Sequence, residues 1–306
     1  MTMSGDAPGT ILLTGATGAI GGALLPRLLA AGHRVRCLVR DPSRASLPAA
    51  AEVVRGDVLT GEGLTTALDG VAVAFYLIHS MGGRNHDFAE ADRRAARTFA
   101  NAAREAGVRR IIYLGGLPAT GAGSAHLRSR EEVAEILRSA APEVVHARAA
   151  MVIGPSSASF RMLRELVHRL PVMVGPKWID TRTQPVAQGD VVEALARLAE
   201  LPNPPADVEL GGAEIITYRE MMLRFAQADG RRRPLIVPVP VLTPRLSSYW
   251  VGFVTSVDPG LARPLVDGLS EELIVRTPPP AGVNDAALDF DAAVRAALGG
   301  APVGGA

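Results

Sequence analysis

Apolar positions in the first half of the chain follow two alternating rhythms: short continuous runs, and stretches in which they recur every three or four residues. Continuous runs suit strands buried on both faces, whereas the wider spacing suits helices with one buried face. Read this way, 10–14 is a strand and 20–31 a helix ended by Gly32. Strands follow at 35–39 and 52–55, then a short helix at 61–68 and a central strand at 71–78. A long helix over 86–106 sets Phe88, Ala91, Ala95, Phe99, Ala102 and Ala106 on one face and stops at Gly107. A strand over 110–114, a helix over 129–139 and a strand over 144–152 continue the pattern. Such alternation predicts an α/β fold, a doubly wound parallel sheet covered on both faces.

Past Val152 the rhythm fades. A helix is expected over 159–170, an irregular proline-rich stretch over 171–184, and a helix from an Asp190 cap to about Glu200. Residues 208–210 return a last strand to the sheet; a helix after Thr217, a proline-rich apolar tract and a helix over 285–298 follow. The expected organisation is a nucleotide-binding core over 1–212, with an excursion near 155–186 to the substrate side. Residues 213–306 form a smaller C-terminal substrate-side portion.

At 306 residues and 48% hydrophobic, the chain can fill one large core, or a core and a lobe. Its 32 basic and 31 acidic residues leave a net charge of +1, so no long-range field directs it to nucleic acid or an anionic membrane. Cys37 is the single cysteine, expected as a small buried hydrophobe without a disulfide. The N-terminus lacks the order of a signal peptide, so the expected location is cytoplasmic. The most apolar region, 235–257, is interrupted by Pro238, Pro240, Pro244 and Arg245 and is not a membrane span. His33, His146 and His168 fall in separate elements, and no metal is expected. The partner is a small-molecule substrate, acted on by a monomer or homodimer.

The chemistry concentrates after the first strand. Thr14, Gly15, Thr17, Gly18, Ala19, Ile20 and Gly21 carry glycines at Gly15-x-x-Gly18-x-x-Gly21, between an apolar strand and an apolar helix. Gly15 permits the tight turn, Gly18 lets a pyrophosphate approach the backbone, and Gly21 packs the helix on the strand. The helix N-terminus then offers free N–H groups and a positive dipole end to the phosphates. Just past the second strand stand Arg40 and Arg44, suited to the extra phosphate of NADP(H). Asp41 lies between them and is the alternative, a ribose acid for NAD(H) if the strand ends later. Asp57 and Val58 follow the third strand beside the adenine, although Asp57 equally suits a turn cap. Leu77, Ile78 and His79 end the fourth strand, where doubly wound sheets bind ligands, and His79 faces the nicotinamide region. Ser80 and Met81 open a glycine-containing loop on the substrate side, and Ser157, Ser159 and Phe160 line the same mouth, with Trp178 and Arg182 as its outer wall. Arg148 reads as a paired core arginine.

On these motifs, with Tyr76-Leu77-Ile78-His79-Ser80-Met81-Gly82, Tyr113-Leu114-Gly115-Gly116-Leu117, His126-Leu127-Arg128-Ser129-Arg130 and the run at 256–266, the chain resembles the atypical short-chain dehydrogenase/reductase superfamily, NmrA-like branch. The resemblance implies a Rossmann sheet of about seven strands, with a C-terminal portion closing over the nicotinamide. It implies hydride transfer with NADP(H) to or from a small carbonyl or enone-type substrate. Active members carry a serine or threonine after strand five, then a tyrosine that donates the proton and a lysine four residues on. Here Gly115 and Gly116 take the first positions, and His126 and Arg130 the pair; no Tyr-x-x-x-Lys occurs. In the enzymatic reading His126 or His79 is the general acid and Arg130 a fixed cation near the cofactor. Otherwise His126 caps or decorates a helix, Arg130 pairs with Glu131 or Glu135, and the chain is a non-catalytic NAD(P)H sensor or assembly protein. Sugar-nucleotide epimerase or dehydratase chemistry would need the missing tyrosine–lysine pair.

Overall fold

In the computed structural model, residues 9–79, 88–119, 124–175, 177–238 and 268–299 are described. The strands are β1 (Thr10–Thr14), β2 (Val35–Val39), β3 (Glu52–Arg55), β4 (Val71–Tyr76), β5 (Arg110–Gly116) and β6 (Glu143–Ala149). They continue with β7 (Val152–Ile153), β8 (Val172–Gly175), β9 (Arg182–Thr183), β10 (Val186–Ala187), β11 (Asp207–Leu210), β12 (Ile216–Thr217) and β13 (Leu235–Pro238). Among them run α1 (Ala19–Ala30), α2 (Leu64–Leu68), α3 (Phe88–Glu105), α4 (Ala125–Arg138), α5 (Ala158–Arg169), α6 (Gln188–Glu200), α7 (Tyr218–Ala228) and α8 (Phe290–Ala297). Seven strands pair in parallel in the order β3-β2-β1-β4-β5-β6-β11. This is the doubly wound Rossmann sheet. The order turns back between β1 and β4, which opens a crevice at their carboxyl ends.

Strand alternation builds the two covered faces. Ile11 and Leu13 join Leu24, Leu25 and Leu28 of α1 and Val191 and Leu195 of α6 on one side. Leu12 points the other way, into a cluster with Phe99 of α3 and Val133 and Leu137 of α4. A third cluster gathers α5, α7 and α8 through Phe160, Leu163, Met221, Phe225 and Phe290. Gly32 and Gly107, both at positive φ, end α1 and α3 as the pattern predicts. Each places paired backbone bonds across the last turn, His33 N–H to Leu28 and Gly32 N–H to Leu29 in the first case. Cys37 is fully buried, and burial pushes its thiol up to about 11.

Departures from expectation cluster after β5. The helix predicted to begin at Ser129 begins at Ala125, where the Ser124 hydroxyl accepts the Leu127 N–H, so His126 and Arg130 both lie in its opening turns. The strand predicted over 144–152 is two strands, β6 in the main sheet and β7 paired with β10. Residues 171–184, expected to be irregular, contain β8, which pairs with β13 from the proline-rich tract. Asp190 is not a cap: α6 starts at Gln188, and the Asp190 carboxylate accepts the Leu288 N–H at 2.9 Å, tethering the approach to α8. Among the described residues no helix is long and apolar enough to cross a membrane.

Candidate functional site

A cleft of about 980 Å3 follows the carboxyl ends of the first four strands. Its floor is the turn after β1. Gly15 has φ +70°, and a Cβ there would come within 2.5 Å of the Leu77 carbonyl oxygen, so conformation and space both require glycine. Its carbonyl accepts the Gly18 N–H at 2.9 Å, and a Cβ on Gly21 would overlap that same carbonyl. Gly18 caps α1 in an extended conformation (φ −83°) without a side-chain bond, which leaves the helix terminus open to the cleft that Thr17 and Gly18 line. Thr14 does not face the cleft. Its hydroxyl is buried, donates to the Phe75 carbonyl at 2.9 Å and accepts from the Leu77 N–H at 3.0 Å, so it clamps β1 to β4. Ala19 likewise serves the fold, its carbonyl accepting from Gln188, and Ile20 packs on the core.

The second wall bears on the choice between Arg40 and Asp41. β2 ends at Val39, and Asp41 caps the 3-10 turn Pro42–Arg44, its Oδ1 accepting the Ser43 N–H at 3.1 Å and the Ser43 hydroxyl at 2.6 Å. Arg40 and Arg44 line the cleft, exposed, and among the described residues neither guanidinium makes a hydrogen bond or ion pair. Asp57 also caps a turn, accepting the Leu59 N–H at 2.8 Å, while Val58 is a buried part of the wall.

Leu77, Ile78 and His79 close the far end. His79 Nε2 accepts from Arg130 Nη1 at 2.6 Å, Arg130 Nε donates to His126 Nε2 at 2.9 Å, and Nη1 also reaches the Leu114 carbonyl at 3.2 Å. One guanidinium therefore bridges two imidazoles from different elements. Burial, then the Arg130 charge and His126, hold His79 well below the usual histidine range. Burial and Arg130 push His126 down to about 3. Both rings are neutral, with the Nε2 lone pair engaged and the proton on Nδ1. Accepting from Arg130, neither Nε2 has a proton to donate, which argues against either nitrogen as the general acid expected of His79 or His126. Arg130 does not pair with Glu131 or Glu135; those carboxylates pair with Arg148 and Arg138. Among the described residues no carboxylate pairs with Arg130, and its guanidinium also lies against the buried Tyr113 hydroxyl.

The NAD(P)H-binding family matches this chain over residues 15–164. A ceramide reductase from Caulobacter vibrioides is 30% identical over 244 residues, 76% of this chain and 75% of that protein. The chain belongs to the atypical short-chain dehydrogenase/reductase superfamily. Membership makes it an NAD(P)H-dependent oxidoreductase. A 3-beta-hydroxysteroid dehydrogenase from Mycolicibacterium neoaurum is 32% identical over 115 residues, 34% of this chain and 31% of its own. The Citrobacter sp. triphenylmethane reductase, solved with NADP(H), shares the fold at a TM-score of 0.74 over 94% of this chain and 100% of that one, at 20% identity.

Within this superfamily the glycine after strand five has a steric cause. A Cβ on Gly115 would overlap His146 Nε2, so the imidazole of the neighbouring strand fills the space beside it. That ring stacks on Tyr113 at 5.0 Å, and burial pushes it down to about 3. The sequence analysis weighed His146 only as a metal ligand; its place beside Gly115 comes from the pairing of β5 with β6, which sets Tyr113 opposite His146. The chain's only lysine is Lys177, far along the sequence from the β5–α4 region, so the cation that meets His79 and His126 is an arginine, Arg130.

The substrate-side assignments do not converge on the cleft. Phe160 is buried against Phe225, and Trp178 against Tyr218, both as core. The Ser157 hydroxyl caps α5 through the Phe160 N–H, and Arg182 is paired with Glu272 at 2.8 Å. Ser159 is half-buried on α5 and does not line the cleft. Arg148 is ion-paired to Glu131 and Asp207, as read from the sequence. Ser80, Met81 and the run at 256–266 lie outside the described residues.

Proposed function

We propose that the chain uses NADP(H) to transfer hydride to or from a small, largely apolar carbonyl or enone-type compound, with Arg130 steadying charge on the reacting oxygen. The carrying observation is the guanidinium itself, a cation with no carboxylate partner among the described residues, held beside the cleft by two imidazoles that accept from it. The open N-terminus of α1 suits a pyrophosphate, and free Arg40 and Arg44 suit an additional phosphate. With Asp41 engaged as a cap, the turn offers no free acid to the ribose hydroxyls that NAD(H) presents. A nicotinamide bound near His79 supplies or accepts the hydride.

Arg130 offers guanidinium N–H donors to the oxygen on which negative charge builds, and it stays charged throughout. It releases no proton. His79 and His126 orient it, and the proton for the product comes from solvent. A conjugated enone suits such a site, because its enolate spreads the charge and water can protonate it later. Relatives named for a ceramide and a hydroxysteroid support a substrate with much apolar surface. In this reading residues 1–212 hold the nucleotide, 213–306 form the substrate-side portion, and the protein works in the cytoplasm.

The test is NADPH oxidation across a panel of ketones, quinones and enones, comparing the parent with Arg130→Met and Arg130→Lys. Arg130→Met is expected to lower turnover on the order of a hundredfold or more while NADPH affinity holds, with Arg130→Lys intermediate. Parent-like turnover in Arg130→Met contradicts the assignment. Among the described residues no side chain beside Arg130 offers a free acid, which also favours a second reading, a non-catalytic NADP(H) sensor or assembly protein. That reading prevails if NADPH binds and no member of the panel consumes it.

A further inference from the structure

Val172 and Leu235 are register partners in the two-stranded parallel sheet of β8 and β13, and their exposures are 56% and 63%. Val237, two residues on, is 42% exposed. Side chains two apart on a strand share a face, so three branched aliphatics stand together on one side of this sheet. The opposite side is anchored: Met173 is buried, and Ile236 packs on the cluster of α5, α7 and α8. Single exposed apolar residues need no explanation, whereas a contiguous patch marks an interaction site.

Charge gathers at the same edge. Arg231, Arg232 and Arg233 lead into β13 and Arg169 leads into β8, all exposed. Asp229 is shared between Arg231 at 3.1 Å and His168, and Glu165 lies 3.4 Å from Arg169. Arg233 donates to the neutral Gln227 amide at 2.6 Å, and Arg232 has no partner among the described residues. Among the described residues, Arg169, Arg231, Arg232 and Arg233 outnumber Glu165 and Asp229 at this edge, where Arg219 and Asp180 pair with each other, in a chain whose overall charge is only +1.

We propose that this face docks on an anionic lipid bilayer. Val172, Leu235 and Val237 enter between head groups, and the arginines lie at phosphate level with their stems along the apolar boundary. A second copy of the chain fits less well, because a symmetric interface would bring the same arginines against one another. Three side chains bury little area, so the association is peripheral and reversible. The inference stands apart from the reading of the cofactor cleft.

The experiment is co-sedimentation of the full chain with vesicles of phosphatidylglycerol and phosphatidylcholine, against vesicles of phosphatidylcholine alone. The expected result is partition onto the anionic vesicles, weakening as salt rises. The triple variant Arg231→Ala, Arg232→Ala, Arg233→Ala should lower partition on the order of a hundredfold. The double variant Leu235→Ser, Val237→Ser should lower it at unchanged charge. Retained NADPH binding in both variants shows that the fold is intact. Absence of binding to the anionic vesicles, equal binding to neutral and anionic vesicles, or unaltered partition of the serine variant overturns the proposal. So does a dimer that the serine substitutions split, which would make the patch an interface between copies.

Discussion

Gly18 and Gly21 sit three residues apart and are needed for different reasons. A Cβ on Gly21 collides with the Gly15 carbonyl, so any side chain there disturbs the turn itself. At Gly18 the nearest atom to an added Cβ is the Gly15 oxygen at 3.2 Å, and φ is −83°, which any residue adopts. Gly18→Val is therefore expected to fold with a modest loss of thermal stability, from the 3.2 Å approach and a poorer N-cap, and to lose NADPH binding because the branched side chain takes the phosphates' space. A folded Gly18→Val that binds NADPH normally would show the phosphate loop is misplaced. At this scale the sequence was legible where a residue type answers one steric demand, as the three glycines do. It was not legible where one side chain had two possible partners. Asp41 could face a ribose or its own turn, and only the end of β2 and the Ser43 contacts decide. His79 and His126 stood at plausible positions, yet their shared partner Arg130 fixes them as acceptors.

α4 and the strands beneath it hold three neutral imidazoles, His79, His126 and His146, each depressed mainly by burial. The unfolded chain binds protons on these rings below about pH 6.5, while the folded chain does not until far lower pH. Stability is therefore fully present above that value and is lost as pH falls toward 3, the value to which His126 and His146 are pushed. Thermal melting should be level between about pH 8 and 7 and fall steeply from 6.5 to 5, and His146→Gln should flatten the fall. A melting temperature that stays level down to pH 5 would show that these rings are not held neutral. The first helices and strands were readable because buried runs and 3.6-residue spacing are local signals. β8 and β13 were not, since what makes them strands is a pairing between distant segments, each interrupted by proline.

Across the whole molecule, the strand order places the switch point between β1 and β4 and so sets the cleft before any side chain is considered. The cofactor side could be read ahead for that reason. The substrate side could not, because an aromatic residue of a second core and one lining a pocket look alike in sequence. Phe160 and Trp178 belong to that core. Arg40 and Arg44, unpaired among the described residues, with Asp41 engaged, favour NADP(H) over NAD(H). Calorimetric titration of the full chain with NADPH and NADH tests that preference most directly. The parent should bind NADPH tighter by roughly ten- to a hundredfold, the worth of one or two charge-assisted contacts. Replacing both arginines with alanine should remove that gap by weakening NADPH alone. Equal affinities in the parent, or a gap that survives in the double variant, would contradict the account.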